Sequence, residues 1–168
     1  MFIGYYLSKV GYIQLCANEH YLLSCEFVDN KGIEYRNHII DHAIQQLDEY
    51  FNKKRFTFNL PLKLEGTDFQ IKVWKALMNI PYGKTCSYSD IANIINMPKA
   101  CRAVGNANNK NKFAIIIPCH RVIGKNKKMV GYAAGIDKKV RLLELEALNS
   151  RWMIIKKIEI ALNNIIVP

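Results

Sequence analysis

The stretch Ile117-Pro118-Cys119-His120-Arg121-Val122-Ile123-Gly124 places a cysteine directly after an apolar run and a proline. The apolar run, Phe113–Ile117, is rich in β-branched residues and predicts a buried strand. Two interpretations of Cys119 follow. It is a nucleophile whose thiolate His120 and Arg121 could stabilise, or it is an inert core residue. Neighbouring strand residues face opposite sides, so Cys119 and His120 would need a turn or a water to act together.

Working back along the chain, three helices are predicted before the apolar run. Thr67 and Gln70 form a capping box at the start of the first, which ends at the turn Pro81–Gly83. The second runs from Ser87–Asp90 to Ile95, and the third, with Pro98 in its first turn, covers Lys99 to about Asn109. The second and third look like a helix-turn-helix, although most helix pairs of this length bind nothing.

The first third of the sequence predicts a sheet and a helix. Three β-rich stretches read as an antiparallel meander: Phe2–Leu7, Tyr12–Ala17 and Tyr21–Val28. Apolar residues at helical spacing follow in Asn37–Phe51, and Lys53–Leu64 is a linker or short strand. At the other end, Lys138–Leu148 is predicted to be the final helix. We therefore expect an α+β chain of three parts: 1–63, 64–148 and an extension, 149–168.

Composition and charge restrict the function. Half of the 168 residues are apolar and the net charge is +10, which describes a folded, basic protein. Residues 1–63 carry seven basic and seven acidic side chains, so the whole excess lies in 64–168. A polyanion-binding part joined to a neutral part is one interpretation, and a solvated basic face is the other. No apolar run could span a bilayer and no secretory signal is visible, so we expect a cytoplasmic protein that binds no membrane.

The motifs together resemble the O6-alkylguanine-DNA alkyltransferases, which repair alkylated guanine by taking the alkyl group onto their own cysteine. The segment Ile117–Gly124 carries the most specific part of the resemblance, Pro-Cys-His-Arg-Val. The other matching segments fall in the family's order: Gly66–Leu77, Ile80–Gly83, Ser87–Tyr88, Pro98–Gly105, Asn111, Gly131–Gly135 and Leu142–Glu146. Residues 1–63 match the family's RNase H-like domain more loosely, and residues 64–148 match its winged-helix-like DNA-binding domain.

The resemblance implies a chemical role for each matching residue. Cys119 would take the alkyl group in a stoichiometric, self-inactivating reaction, from O6-alkylguanine and also from O4-alkylthymine. His120, Glu146 and a water would draw the proton from Cys119. Tyr132 would protonate the departing guanine, and Asn111 would brace the site. The same resemblance implies no cofactor.

The resemblance also implies how DNA is bound. The partner would be double-stranded DNA, entered through the minor groove, with the alkylated guanine flipped out. Arg102 would fill the vacated stack and Tyr88 would push the 3' phosphate. Ala100, Ala103 and Gly105 would allow the close approach, and backbone groups of Val122 and Ala133 would hold the base. We expect a monomer.

Some features depart from the family pattern. Asn108 and Asn109 lie where the family varies, and Lys125, Lys127 and Lys128 make the loop after Cys119 more basic. Ile154, Ile158, Leu162 and Ile165 form a helical stripe in the extension. Some relatives carry an N-terminal zinc site, but Cys16, His20 and Cys25 are too few ligands, so we predict no metal.

Two other functions remain open from the sequence. A damage sensor of the alkyltransferase-like kind would keep the fold without the transfer, but those proteins lack the acceptor cysteine, and Cys119 is present. A cysteine hydrolase built on Cys119 and His120 would need an oxyanion hole, for which the sequence gives no candidate.

Overall fold

The computed structural model describes residues 1–125 and 128–149. The predictions for Lys127 and for the stripe in residues 150–168 fall outside the described residues.

The first part of the chain is a three-stranded antiparallel sheet covered by a helix. Strands β1 (Phe2–Ser8), β2 (Gly11–Ala17) and β3 (Leu22–Val28) lie in the order β1-β2-β3. Helix α1 (His38–Phe51) follows and is capped by Asn37, whose side chain accepts a hydrogen bond from the Ile40 amide. The apolar face of α1 is buried against the sheet, and the predicted meander and helix are confirmed.

Three helices form most of the second part. Helix α2 (Asp68–Met78) begins with the predicted capping box of Thr67 and Gln70. Strand β4 (Cys86–Ser87) leads into α3 (Tyr88–Ile94), and α4 (Cys101–Asn109) follows after a tight turn. The start of α4 at Lys99 was wrong by two residues, because Pro98 and Lys99 form the turn that precedes the helix.

The predicted strand Phe113–Ile117 is also wrong. Phe113 makes a single parallel bridge to Cys25 of β3, and residues 114–116 form a turn in which Ile115 has φ +70°. Four of the five side chains are nevertheless buried. A short apolar run shows that a segment is buried, but it does not distinguish a strand from a buried turn.

The bridge at Phe113 joins the sheet to the segment that leads to Cys119. The Cys25 amide donates to the Lys112 carbonyl at 2.7 Å, and the Ala114 amide donates to the Cys25 carbonyl at 2.7 Å. A 3-10 turn (Cys119–Arg121) and strand β5 (Val122–Ile123) follow, and β5 pairs in parallel with β4. The two parts of the chain are therefore hydrogen-bonded to each other beside the candidate cysteine.

The last described element is helix α5, residues 136–149, in agreement with the predicted final helix. Within residues 1–125 and 128–149, no helix combines the length and the apolar character that crossing a membrane requires. The described chain is thus a mixed α+β fold, as predicted.

Candidate functional site

Cys119 is the first residue of the 3-10 turn and is buried, with 6% of its surface exposed. Asn111 donates a hydrogen bond from Nδ2 to the Cys119 Sγ at 3.1 Å and another to the Ile117 carbonyl at 2.9 Å. The Oδ1 of Asn111 accepts from the Phe113 amide at 2.9 Å. The structure thus places Asn111 where one side chain links the cysteine to the turn before it.

The thiol of Cys119 is not ionised by its surroundings. Burial raises its pKa above the ordinary value of 9.0, and the hydrogen bond from Asn111 and the charge of Lys139 offset this rise only in part. A neutral thiol is a poor nucleophile. The site therefore needs a base to make the thiolate.

His120 and Glu146 lie together next to this cysteine, and both are fully buried. The His120 Nε2 is 2.9 Å from the Glu146 Oε1. A carboxylate only accepts hydrogen bonds, so Nε2 carries the hydrogen and Nδ1 carries the lone pair. Nδ1 has no hydrogen-bond partner among the described residues. The geometry gives His120 the tautomer that a base requires.

Burial sets the protonation state of His120, and neighbouring charges set that of Glu146. Burial lowers the pKa of His120 below its ordinary value of 6.5, although Glu146 opposes this, so the imidazole is neutral near pH 7. Burial alone would raise the pKa of Glu146, but His120 and Arg121 outweigh it and hold that pKa at about 2. Because His120 is neutral, the positive charge beside Glu146 at pH 7 comes from Arg121.

Arg121 does not serve the thiolate. Its Nε and Nη2 donate to both Glu146 oxygens at 2.9 to 3.2 Å, and its Nη1 donates to the Ile80 carbonyl at 2.6 Å. The expectation that Arg121 could stabilise the Cys119 thiolate is therefore wrong. A buried carboxylate needs a charged partner, and the guanidinium of Arg121 fills this role for Glu146 by bonding both of its oxygens.

Two further groups reach Glu146 from elsewhere in the chain. The Tyr50 hydroxyl on α1 donates to Oε1 at 2.8 Å, and the Gly83 amide donates to Oε2 at 2.9 Å. Sequence reasoning missed Tyr50, because the two residues lie 96 positions apart in the chain. Its place in the buried face of α1 indicated a core aromatic and nothing more.

Lys139 is a second residue that sequence reasoning missed. It is fully buried, and its Nζ donates to the Val122 carbonyl at 2.6 Å and the Val130 carbonyl at 2.7 Å. Burial lowers its pKa from 10.5 to about 8. A signal was present in the sequence, since residues 139, 142, 146 and 149 share one face of α5 and three of the four are polar.

Tyr88 and Tyr132 both lie at the loop that precedes α5. The Tyr132 hydroxyl is buried and has no partner among the described residues, and burial followed by the nearby Cys119 raises its pKa well above 10.0. The Tyr88 hydroxyl donates to the carbonyls of Val130 at 3.1 Å and Gly131 at 3.3 Å. A phosphate contact by Tyr88 would require its hydroxyl to leave these carbonyls.

A cavity opens beside Cys119 between the two parts of the chain. Its lining comes from β3, α4, the turn after Asn111 and the loop before α5: Glu26, Phe27, Asn108, Asn111, Ala114, Cys119, Tyr132, Ala133 and Ala134. Asn108 and the two β3 residues, Glu26 and Phe27, were not foreseen as site residues. Cavity-lining residues of β3 cannot be found from a motif that lies 90 residues further on.

The residues predicted to meet DNA lie on or near α4. Arg102 and Ala103 are exposed, and Gly105 faces the Tyr88 ring, where an added Cβ would lie 3.8 Å away. Ala100 is the N-cap residue of α4. Ala133 is exposed at the cavity, whereas the buried Val122 already offers its carbonyl to Lys139. A carbonyl has two lone pairs, so one remains for a bound base.

Comparisons with known proteins identify both parts of the chain. Residues 1–64 match the family model "6-O-methylguanine DNA methyltransferase, ribonuclease-like domain", and residues 68–148 match its "DNA binding domain". A methylated-DNA–protein-cysteine methyltransferase of Methanosarcina barkeri is 50% identical over 86% of this chain and 96% of its own length. One of Mycobacterium bovis is 56% identical over 83% and 88%.

The fold is likewise similar to solved structures. A crystal structure of Mycobacterium tuberculosis OGT in complex with DNA superposes with a TM-score of 0.78 and 42% identity. The similarity covers 86% of this chain and 92% of that one.

Proposed function

The chain belongs to the 6-O-methylguanine DNA methyltransferase family, and from that premise we propose that Cys119 is the residue that accepts the alkyl group. The function is DNA repair by transfer of alkyl groups from DNA to a cysteine of the protein itself. The observation that supports Cys119 is its position. Of the five cysteines, it alone lines this cavity, and it directly precedes His120, which is bonded to the buried Glu146.

The proposed substrates are O6-alkylguanine and, with the same chemistry, O4-alkylthymine in double-stranded DNA. The base is flipped out of the duplex from the minor groove, because a buried thiol cannot reach a stacked base. Exposed Arg102 on α4 supports the proposal that this residue fills the gap in the stack. We further propose that the protein acts in the cytoplasm as a monomer.

The proposed reaction begins with proton removal. His120 Nδ1 takes the Cys119 proton through a water, and Glu146 holds the imidazole in the required tautomer. Arg121, Tyr50 and the Gly83 amide keep Glu146 ionised and in place. Asn111 positions the sulfur through its Nδ2.

The thiolate then displaces the base in line. A bond forms between Sγ and the alkyl carbon, the bond from that carbon to guanine O6 breaks, and its electron pair stays on the base. Tyr132 donates its hydroxyl proton to the departing guanine, and the proton on His120 restores the phenol. The thioether is a poor alkyl donor, because transfer of its alkyl group would have to expel the Cys119 thiolate, so each molecule reacts once.

The test is mass spectrometry after incubation with O6-methylguanine DNA. We expect the intact protein to gain roughly 14 Da, one methyl for one hydrogen, on the peptide that contains Cys119. Cys119→Ser should bind DNA with unchanged affinity and gain no mass. A methyl group on Cys86 or Cys101, or loss of DNA binding by Cys119→Ser, would overturn the assignment.

A further inference from the structure

Asn108 is a buried amide at the wall of the alkyl-acceptor cavity, and its side chain makes no hydrogen bond within residues 1–125 and 128–149. It lies on the inner face of α4 with 4% of its surface exposed. Neither its Nδ2 nor its Oδ1 has a hydrogen-bond partner among the described residues. An unpaired buried polar group destabilises a protein by about 1 to 3 kcal/mol. A bound ligand that supplies the missing hydrogen-bond partner is a physical reason for an unpaired amide at this position.

The rest of the cavity makes Asn108 distinctive. Its other neutral amide, Asn111, already bonds Cys119, Ile117 and Phe113. Phe27, Ala114 and Ala134 contribute apolar surface. Within the described residues, the cavity therefore combines apolar walls with one side-chain amide that has both a donor and an acceptor to offer.

The charge at the cavity edge indicates which polar groups would fit. Glu26 on β3 lines the cavity and is exposed. Its carboxylate would repel an anionic group on an alkyl chain bound in the cavity, but it would not repel a neutral hydroxyl. A neutral group that both donates and accepts hydrogen bonds, such as an alcohol, matches Asn108 best.

Resting on the proposed function, we propose that Asn108 determines alkyl-group specificity by hydrogen-bonding a neutral polar group on the alkyl chain. Hydroxyalkyl adducts are the class it selects. O6-(2-hydroxyethyl)guanine and O6-n-propylguanine have chains of equal length. The hydroxyethyl chain ends in a hydroxyl group, and the propyl chain ends in a methyl group. Both react by the same displacement at the carbon bound to O6, so Asn108 alters the relative rates and leaves the chemistry unchanged.

The experiment compares single-turnover rates for these two adducts and for O6-methylguanine, each placed in the same duplex. The measured quantity is the hydroxyethyl-to-propyl rate ratio in the wild-type protein, Asn108→Leu, Asn108→Ala and Asn109→Leu. Asn109 is the matched control because it is the next residue of α4 and is exposed. Each variant's hydroxyethyl-to-propyl rate ratio is divided by the wild-type ratio, because the O6-bound carbons of the two adducts differ in intrinsic reactivity.

We expect both Asn108 variants to lower the ratio about fivefold, the size of one net hydrogen bond in a buried site, and Asn109→Leu to leave it unchanged. Glu26→Gln should raise the rate for O6-carboxymethylguanine about threefold relative to methyl, since a repelling charge is removed. Equal ratios in the wild type and in whichever Asn108 variant folds would overturn the inference. Absence of methyl transfer by the wild type would overturn the proposed function instead.

Discussion

At the scale of single residues, the candidate site is built from side chains that come from distant parts of the chain. The family resemblance pointed to Cys119, His120 and Glu146, and the structure places the first two in a 3-10 turn instead of a strand, with His120 bonded to Glu146. Arg121 was assigned to the wrong partner, since sequence adjacency to Cys119 says nothing of the carboxylate that α5 delivers. Contacts between distant parts of the chain, such as those of Tyr50 and Arg121 with Glu146, could not be predicted from the sequence alone.

The protonation states of Cys119 and His120 lead to a pH prediction. Because the pKa of the thiol is raised above 9.0 and that of the imidazole is lowered below 6.5, the thiol and the neutral base coexist between these values. The rate of methyl transfer should therefore be nearly constant from pH 6.5 to 9 in the wild type.

His120→Ala removes the base and leaves only the spontaneously formed thiolate. Its rate should be lower at pH 7 and should rise about tenfold per pH unit up to pH 9. Single-turnover assays at half-unit steps, with the exposed His38→Ala as the control, measure both profiles. A flat profile in His120→Ala would mean that another group removes the proton.

At the scale of elements, the sequence predicted the helix cap of α2 correctly, but it did not predict the conformation of the buried segment before Cys119. The capping box of α2 depends on side chains within three residues of each other, so the pair Thr67–Gln70 could be identified directly. The turn at 114–116 depends on hydrogen bonds with Cys25, about 90 residues away. Its apolar composition correctly indicated burial but not conformation.

Helix α4 provides the prediction at this scale. Arg102→Ala should slow methyl transfer from duplex DNA about tenfold or more, because the gap left by the flipped base is no longer filled. Transfer from the free base O6-benzylguanine should stay near the wild-type rate, since no flipping is needed. The salt dependence of DNA binding should fall by about one unit of slope.

Lys99→Ala is the control for charge, because Lys99 is an exposed lysine just before α4. It should reduce the salt slope similarly while leaving the ratio of duplex to free-base rates unchanged. Equal losses on duplex and free base in Arg102→Ala would mean that Arg102 supports the site instead of the stack.

At the scale of the whole molecule, Glu146 connects four distant segments. Tyr50 comes from α1, Gly83 from the turn after α2, His120 and Arg121 from the 3-10 turn, and Glu146 itself from α5. The same carboxylate therefore holds the His120 imidazole and joins the two parts of the chain.

Glu146→Gln should lower the free energy of unfolding by about 3 kcal/mol at pH 7, because it leaves the buried Arg121 charge without its partner. The folded-state pKa of about 2 lies below the ordinary 4.5, so the carboxylate stabilises the fold fully above pH 4.5 and loses this effect as the pH falls towards 2. The gap between wild type and variant should narrow over that interval.

Urea unfolding at pH 7, 5, 4 and 3 measures this gap, with Glu144→Gln as the exposed control on the same helix. Tyr50→Phe should lower the free energy of unfolding by about 2 kcal/mol at pH 7, because one hydrogen bond to a charged group is lost, and exposed Tyr21→Phe should lower it less. A pH-independent gap for Glu146→Gln would contradict the low pKa.

The bridge between Cys25 and Phe113 also has a meaning for protein engineering. Two family models divide the chain near residue 64, yet β3 supplies both the backbone partners of residues 112 and 114 and part of the cavity wall. A fragment beginning there would leave the Ala114 amide and the Lys112 carbonyl without their partners in β3 and would open the cavity next to Cys119. An engineered division of the gene at that boundary would therefore separate Cys25 from its two backbone partners and remove Glu26 and Phe27 from the cavity wall.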